Sequence, residues 1–475
     1  MILSTRKRKH YSEVDLGRDR LSELPDDVIV HILSFLPILD AVRTVLLRRF
    51  RNLWTLVPIL NCDLYEVLKN LVPNNQWPHN EVWRFNIFLR NVVALHKRSL
   101  IDKFHLHLGG DYVSGSREIG DDITRCLRFA LDKQAKEIAF YDVFCQFPPT
   151  NLPDFTSQSL VNLELQYCRI PPQLQVNLGS LKQLLLDSVT ICEAGLQQFI
   201  SGCPSLQELS INYIYCIKKL RFSAPNINKF SLLVFDRYEN EDPLVLDLPN
   251  LKTLDLEIDR IPHVLDVSSV RNMYLKNIIH DLDDEDDCRM FNIFFRKFEG
   301  AQVFQLSRKA SEPFLHRLKL IDDLHLLEIR WKRLILELWV SCESCILGFY
   351  QLMRSSIHLE ELIIYTSAEI TSNSVFSTSS LCIHQDLEAR FDMPPLEFSS
   401  DCVMPKLKTV TLHGYVKPWN RQLHLVSFLL KAATILDKLV IVPTKHLLTR
   451  DEELEFVKYV SSFQRASTSA RVLFA

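Results

Sequence analysis

Along residues 21–58 apolar side chains recur at a helical period. Leu24, Val28, Ile29, Ile32, Leu33 and Leu36 fall on one stripe of a 3.6-residue turn. Pro25 stands where a first-turn proline is tolerated, Asp26 and Asp27 follow near the positive helix end, and Pro37 stops the run. Asp40 is placed to cap a second short helix carrying Ala41, Val42, Val45 and Leu46. Phe50, Leu53, Trp54 and Val57, spaced i, i+3, i+4 and i+7, predict a third. Three short helices cannot bury all these faces on one another, because so small a unit has little interior. Part of the stripe must meet something else, either the rest of this chain or a partner.

Residues 61–100, with Trp77, Trp83, Phe85, Phe88 and Leu89, predict a helical connection. The pattern then changes to a repeated L-x-x-L-x-L frame. Its clearest copies are Leu160-Leu163-Leu165, Leu181-Leu184-Leu186, Leu206-Leu209-Ile211 and Leu251-Leu254-Leu256. Weaker copies include Ile227-Phe230-Leu232, Val270-Met273-Leu275, Ala301-Phe304-Leu306 and Leu324-Leu327-Ile329. Leu359-Leu362-Ile364, Leu407-Val410-Leu412 and Leu436-Leu439-Ile441 carry the frame to the end. Between 160 and 270 the copies are spaced near the ~20–29 residues of leucine-rich repeats. Ala194 to Ser201 and Lys332 to Arg354 read as helical returns between strands. Each unit is a short strand with a return segment, and neighbours stack to cover the leucines, predicting a curved solenoid. Alternate strand residues then face outward, a set that includes Glu164, Gln166, Asp187, Ser210, Asn212, Asp255, Glu257 and Tyr274. This mixed polar surface suits an unidentified target protein, and equally an ordinary solvated sheet face.

The N-terminal residues LPDDVIVHILSFLP, DAVRT and RRFRNLW, in that order, resemble the F-box of plant proteins that carry leucine-rich repeats. The resemblance implies docking on a Skp-type adaptor and, through it, a cullin-RING ubiquitin ligase. Onto this chain it places adaptor contacts at Leu24, Pro25, Val28, Ile29, Ile32, Leu33, Leu36, Val42, Phe50 and Trp54. The chain departs from the family pattern VRTSVLSRRWRNLW, reading VRTVLLRRFRNLW. It is one residue shorter, with Leu47 where serine is usual and Phe50 in place of tryptophan. A serine there would cap the third helix, a contribution of ~1 kcal/mol.

The last seventy residues resemble the FBD domain that often follows such repeats. The resemblance is carried by Leu407-Lys408-Thr409-Val410, His413-Gly414-Tyr415, Leu423 to Ala432, Leu436 to Ile441 and Phe463 to Ser467. The expected fold is therefore α/β. A basic tail (1–15) precedes a three-helix F-box (16–60), a helical linker (61–100), a repeat solenoid (101–400) and an FBD-like α/β cap (401–475).

Composition narrows the chemistry. The 475 residues are 47% hydrophobic and 24% charged, as in soluble folded proteins, and the net charge of −3 gives no pull toward nucleic acid or membrane. No eighteen-residue apolar run predicts a membrane span, and the N-terminus lacks the apolar core of a signal peptide. Arg6-Lys7-Arg8-Lys9 reads as a nuclear import signal, so a nuclear or cytoplasmic location is expected. GxGxxG, GxxxxGK[ST], GxSxG and HExxH are all missing, which argues against catalysis and against a cofactor. The twelve cysteines are scattered as reduced thiols would be. Cys342 and Cys345 form the one CxxC. The nearest second pair, Cys382 and His384, substitutes poorly, so buried core cysteines are expected rather than a metal. The leading function is substrate recognition for an SCF-type ubiquitin ligase. The alternatives are a repeat interaction protein acting outside a ligase, and a co-receptor whose pocket takes a small ligand.

Overall fold

In the computed structural model the described residues are 21, 23–64, 80–108, 117–142, 152–214, 221–234, 245–258, 267–278, 291, 293–318, 329–340, 342–367, 402–415, 420–443 and 450–474. The basic tail, the acidic run Asp281 to Asp287 and the Cys382–His384 pair lie outside them. The chain divides into two compact units, Met1–Cys168 and Arg169–Ala475.

The first unit opens with α1 (Asp26–Leu33) and α2 (Ile38–Arg43). Pro25 precedes α1, and Asp26 and Asp27 fill its first turn beside the unpaired N–H groups. Pro37 both ends this run and begins the next, since its fixed φ suits a helix entry. Asp40 therefore lies inside the first turn of α2, pairing with Arg43 at 2.9 Å, and does not cap it. The expected third helix is replaced by two 3-10 turns, Thr44–Leu46 and Leu53–Leu56. Leu47 between them is extended (φ −90°, ψ 119°), and the chain is already committed to a strand at Ile59. That leaves no length for an α-helix.

The strand β1 (Ile59–Asp63) heads a parallel ladder with β2 (Lys103–Leu108), β3 (Glu137–Asp142) and, past short β4 (Phe155–Ser157), β5 (Asn162–Gln166). The 61–100 segment thus begins as strand, and its described helix is α3 (Asn80–Leu95), which packs on α4 (Arg117–Asp132). Arg90 Nε donates to both oxygens of the buried Asp122 at 2.8 and 2.9 Å across these two helices. Three strands of this ladder carry the repeat frame with a first anchor other than leucine: Val57-Leu60-Cys62, Ile101-Phe104-Leu106 and Ala135-Ile138-Phe140. All nine side chains are buried.

The second unit stacks parallel strands in chain order: β7 (Gln183–Asp187), β8 (Glu208–Asn212), β10 (Lys229–Val234), β12 (Thr253–Ile258), β13 (Asn272–Ile278) and β14 (Val303–Leu306). The ladder continues through β15 (Arg333–Trp339), β16 (Glu361–Ser367), β17 (Thr409–Tyr415), β18 (Lys438–Pro443) and β19 (Arg471–Phe474). Short β6 (Val176–Leu178) and the pair β9 (Arg221–Ser223) and β11 (Val245–Asp247) lie on the return side. So does α5 (Glu193–Ser201), followed later in the chain by α6 (Arg308–Leu318), α7 (Glu343–Ser355), α8 (Asn420–Ala432) and α9 (Arg450–Ser461). The 332–354 segment predicted as helix is thus strand first, with anchors Trp331-Leu334-Leu336, while Leu324 and Leu327 of the frame read from sequence lie outside the described residues. Tryptophan at the first anchor hid the frame.

Two glycines set close geometry. Gly414, at φ 82°, sits where the β17–β18 register shifts between His413 and Tyr415, a bulge position open to left-handed backbone. At Gly348 an added Cβ would lie 2.0 Å from the Leu315 carbonyl oxygen, so α6 and α7 touch backbone to side there. Gly348→Ala is expected to lower stability by about 1–3 kcal/mol, because the clash is with backbone and not a yielding side chain. An unchanged denaturation midpoint would refute this.

Candidate functional site

Two surfaces follow from these elements. The first is α1, which is apolar on two faces. Ile29, Val30 and Leu33 point inward and close on Ile38, Ala41, Phe50, Leu53 and Trp54. Val28 and Ile32 on α1, with Phe35 and Leu36 in the turn that follows it, form a second apolar stripe open to solvent, Phe35 being 72% exposed. After α2 the chain also exposes Val45, Leu46 and Leu47, Leu46 at 84%. Of the contacts predicted from sequence, Pro25, Val28, Ile32 and Leu36 are exposed, and Leu24 and Val42 half-buried. Ile29, Leu33, Phe50 and Trp54 are buried, so their part is to hold the bundle and not to meet a partner. Sequence reasoning passed over Phe35, Leu46 and Leu47. The signal was there: a stripe two faces wide on so short a helix cannot all be core.

Arg49 fastens the start of α1, reaching Asp26 at 2.6 Å and the Leu24 carbonyl at 3.2 Å. Both ends of this ion pair are about half exposed, so it orients more than it stabilises.

The second surface is the solvent side of the strands. In the first unit, register places Asp63 beside His107 and His107 beside Tyr141. His107 Nδ1 is 2.9 Å from Asp63 Oδ2, and its ring meets Tyr141 edge-on at 4.2 Å. Glu137 receives Lys103 at 2.8 Å and His105 at 2.7 Å. Burial alone would raise the Glu137 carboxyl, but these two donors hold it below the usual range. Glu164 and Gln166 lie on the same side of this ladder. Tyr167, directly after β5, adopts positive φ, and Ser188 and Tyr213 do so after β7 and β8.

In the second unit, the remaining predicted residues do stand on the outward side. Asp187 faces Asn212 across β7 and β8, and Asn212 Nδ2 donates to it at 3.2 Å while Ser188 Oγ donates at 2.9 Å. Ser210 aligns with Ser231, Ser231 with Asp255, and Asp255 with Tyr274. Lys276 pairs with Asp255 at 2.8 Å, so that carboxylate is already partly neutralised. Glu257 is half-buried beside Leu233.

Further along, the same face becomes aromatic and apolar, which the sequence reading left unassigned. Glu337, Tyr365, His413 and Val442 form one row across β15 to β18, and Ile335, Ile363, Thr411 and Val440 the row before it. Tyr365 and His413 stack at 4.6 Å and 11°. Burial holds the His413 imidazole below the usual histidine range, so it stacks as a neutral ring near pH 7. The same two-residue alternation that located Tyr274 would have located Tyr365.

Burial pushes the Cys126 and Cys203 thiols up to about 12 and Cys402 to about 11. Such thiols are inert.

Comparison with known proteins gives two matches along the chain. Residues 21–61 match the family model of the F-box domain. Residues 92–464 match the family model described as the LRR domain of At1g61320/AtMIF1, most of the chain. The chain belongs to the plant F-box/leucine-rich-repeat family. Among its Arabidopsis thaliana relatives, the putative F-box/LRR-repeat protein At5g02930 is 26% identical over 408 residues, covering 82% of this chain and 80% of the relative. The F-box/FBD/LRR-repeat protein At5g56420 is 31% identical over 271 residues, 53% of this chain and 60% of that protein. The putative F-box/FBD/LRR-repeat protein At5g25850 is 24% identical over 502 aligned positions, covering 98% of both. In this F-box/leucine-rich-repeat chain the segment expected from sequence to be an FBD-like cap continues the parallel ladder, Glu361 of β16 pairing with Thr409 of β17, and the repeat-domain model runs through it to residue 464. The expected order of strand, helix, strand, helix and strand is present from 409 to 474.

Proposed function

We propose that this chain is the substrate-recognition subunit of an SCF-type E3 ubiquitin ligase. The observation that supports it best is the doubly apolar α1. Its inner face already fills the bundle core, so the exposed stripe Val28-Ile32-Phe35-Leu36 is surface in want of a partner. The F-box docks this stripe on a Skp-type adaptor, the adaptor joins a cullin-RING ligase, and the strand face holds a target protein. Rate then comes from proximity, since the target is held near the charged conjugating enzyme. The chain itself contributes binding and no chemistry. A nuclear or cytoplasmic location goes with this reading and rests on the Arg6–Lys9 cluster.

The test is co-expression of the full-length chain with a Skp-type adaptor, read by size exclusion. An equimolar complex is expected. Separate elution of two folded proteins would favour the other reading, an interaction protein acting outside a ligase. Full-length protein is needed because β1 is both the end of the F-box segment and the first rung of the ladder. Cutting at residue 60 would split it.

Leu47 gives a finer test. Its backbone is extended and its carbonyl accepts from Phe50 N–H at 3.0 Å, the arrangement of a residue that caps a turn. Leu47→Ser is expected to tighten adaptor binding by roughly the fivefold that ~1 kcal/mol of capping allows. Weaker binding would show instead that the exposed Leu47 side chain is itself part of the docking face.

A further inference from the structure

The contact that Gly348 permits between α6 and α7 brings together three side chains with no place in the reading above. His316 follows Leu315, the residue whose carbonyl Gly348 accommodates. Cys342 stands at the N-terminus of α7, and its Sγ lies 3.3 Å from His316 Nε2. Cys345, one helical turn on, is fully buried and donates its backbone N–H to Cys342 Sγ at 3.4 Å. The donor atoms of His316, Cys342 and Cys345 all lie within 4.8 Å of one another.

Helix capping explains only one of the three. In an earlier repeat, Cys192 occupies the same place before α5 and accepts the N–H of Gly195 at the same 3.4 Å. The residue three positions on is a glycine there, so the cap works without a second thiol. Core packing would be served by any small apolar residue at 345. It gives no reason for an imidazole beside both sulfurs.

Two thiols and an imidazole are a soft donor set, suited to Zn²⁺ or Cu(I) and not to Mg²⁺ or Ca²⁺. Zn–S bonds of about 2.3 Å and Zn–N bonds of about 2.0 Å put the donors of one tetrahedral ion roughly 3.5–3.8 Å apart. The Cys342–His316 pair at 3.3 Å is close to this, and the donors, all within 4.8 Å of one another, would draw in by at most about 1 Å. We infer that His316, Cys342 and Cys345 bind one Zn²⁺ ion through two thiolates and the imidazole, clamping α6 to α7. Each thiol releases its proton on binding, so affinity falls as pH falls. The fourth corner is taken by water, reached from the side of His316, the half-buried member of the three.

The full-length protein, stripped with chelator under reducing conditions, is titrated with Zn²⁺ and separately with Co²⁺. One ion per chain is expected, with the thiolate charge-transfer and visible bands of tetrahedral Co²⁺, and a higher melting temperature for the loaded protein. Cys342→Ser keeps a good capping residue and so keeps the fold, yet it should weaken binding by more than the ~10–100-fold that a lost supporting group costs. Cys345→Ala and His316→Ala should do the same, whereas Cys192→Ser should bind as wild type. Folded wild-type protein that takes up no Zn²⁺, equal uptake by Cys342→Ser, or a Cys342–Cys345 disulfide found in its place would each overturn the assignment.

Discussion

Trp331→Ala is expected to destabilise the second unit by about 3–5 kcal/mol, the usual cost of removing a buried tryptophan. The indole is fully buried and lies flat on Phe304 at 4.0 Å and 7°. Its edge meets Phe295 at 5.7 Å, and Phe314 closes on both Phe295 and Phe304 at 5.5 Å. Nε1 donates to the Phe298 carbonyl at 2.7 Å, so truncation also removes one of that oxygen's two donors, the other being Ala301 N–H at 3.1 Å. The loss should be read by hydrogen exchange in 303–306 and 333–339, because two units need not unfold as one. Trp331→Phe keeps most of the stacking and should fall well short of the alanine variant. A cost below about 1 kcal/mol for alanine would mean that this aromatic cluster is not the centre of the unit.

Ile32→Ala combined with Phe35→Ala is expected to abolish adaptor capture while the protein stays folded. Ile32 is exposed on α1 and Phe35 in the turn just after it, so stability should move by less than ~0.5 kcal/mol each. If they anchor the interface, each truncation costs ~2 kcal/mol or more of binding, about thirtyfold. Trp54→Ala makes the contrast. Trp54 is buried against α1 and should lose adaptor only by loosening the bundle, visible as a lower melting temperature. Capture at wild-type level by the folded double variant would move the docking face elsewhere and remove the main support for the ligase reading.

Much of this was legible in order along the chain. A leucine frame of fixed spacing specifies a strand with two inward anchors, and that geometry is local. Leu160-Leu163-Leu165 and its clear copies therefore appear as β5, β7, β8 and β12 without correction. The F-box segment was legible too, as a run of short helical stripes punctuated by Pro25 and Pro37.

Local pattern could not say which anchors other than leucine keep the frame. Val57, Ile101, Ala135 and Trp331 do so because stacking on a neighbouring strand selects burial and volume at that position, not residue name. Nor could it separate the two apolar faces of α1, since periodicity marks a face as apolar without saying what covers it. Tertiary packing assigned Ile29 and Leu33 to the core and left Ile32 and Phe35 outside. The CxxC likewise looked solitary, because its third donor stands in a preceding helix, 26 residues before Cys342. What joined His316 to Cys342 was the absent Cβ of Gly348, and a contact between distant segments exists only once both have packed.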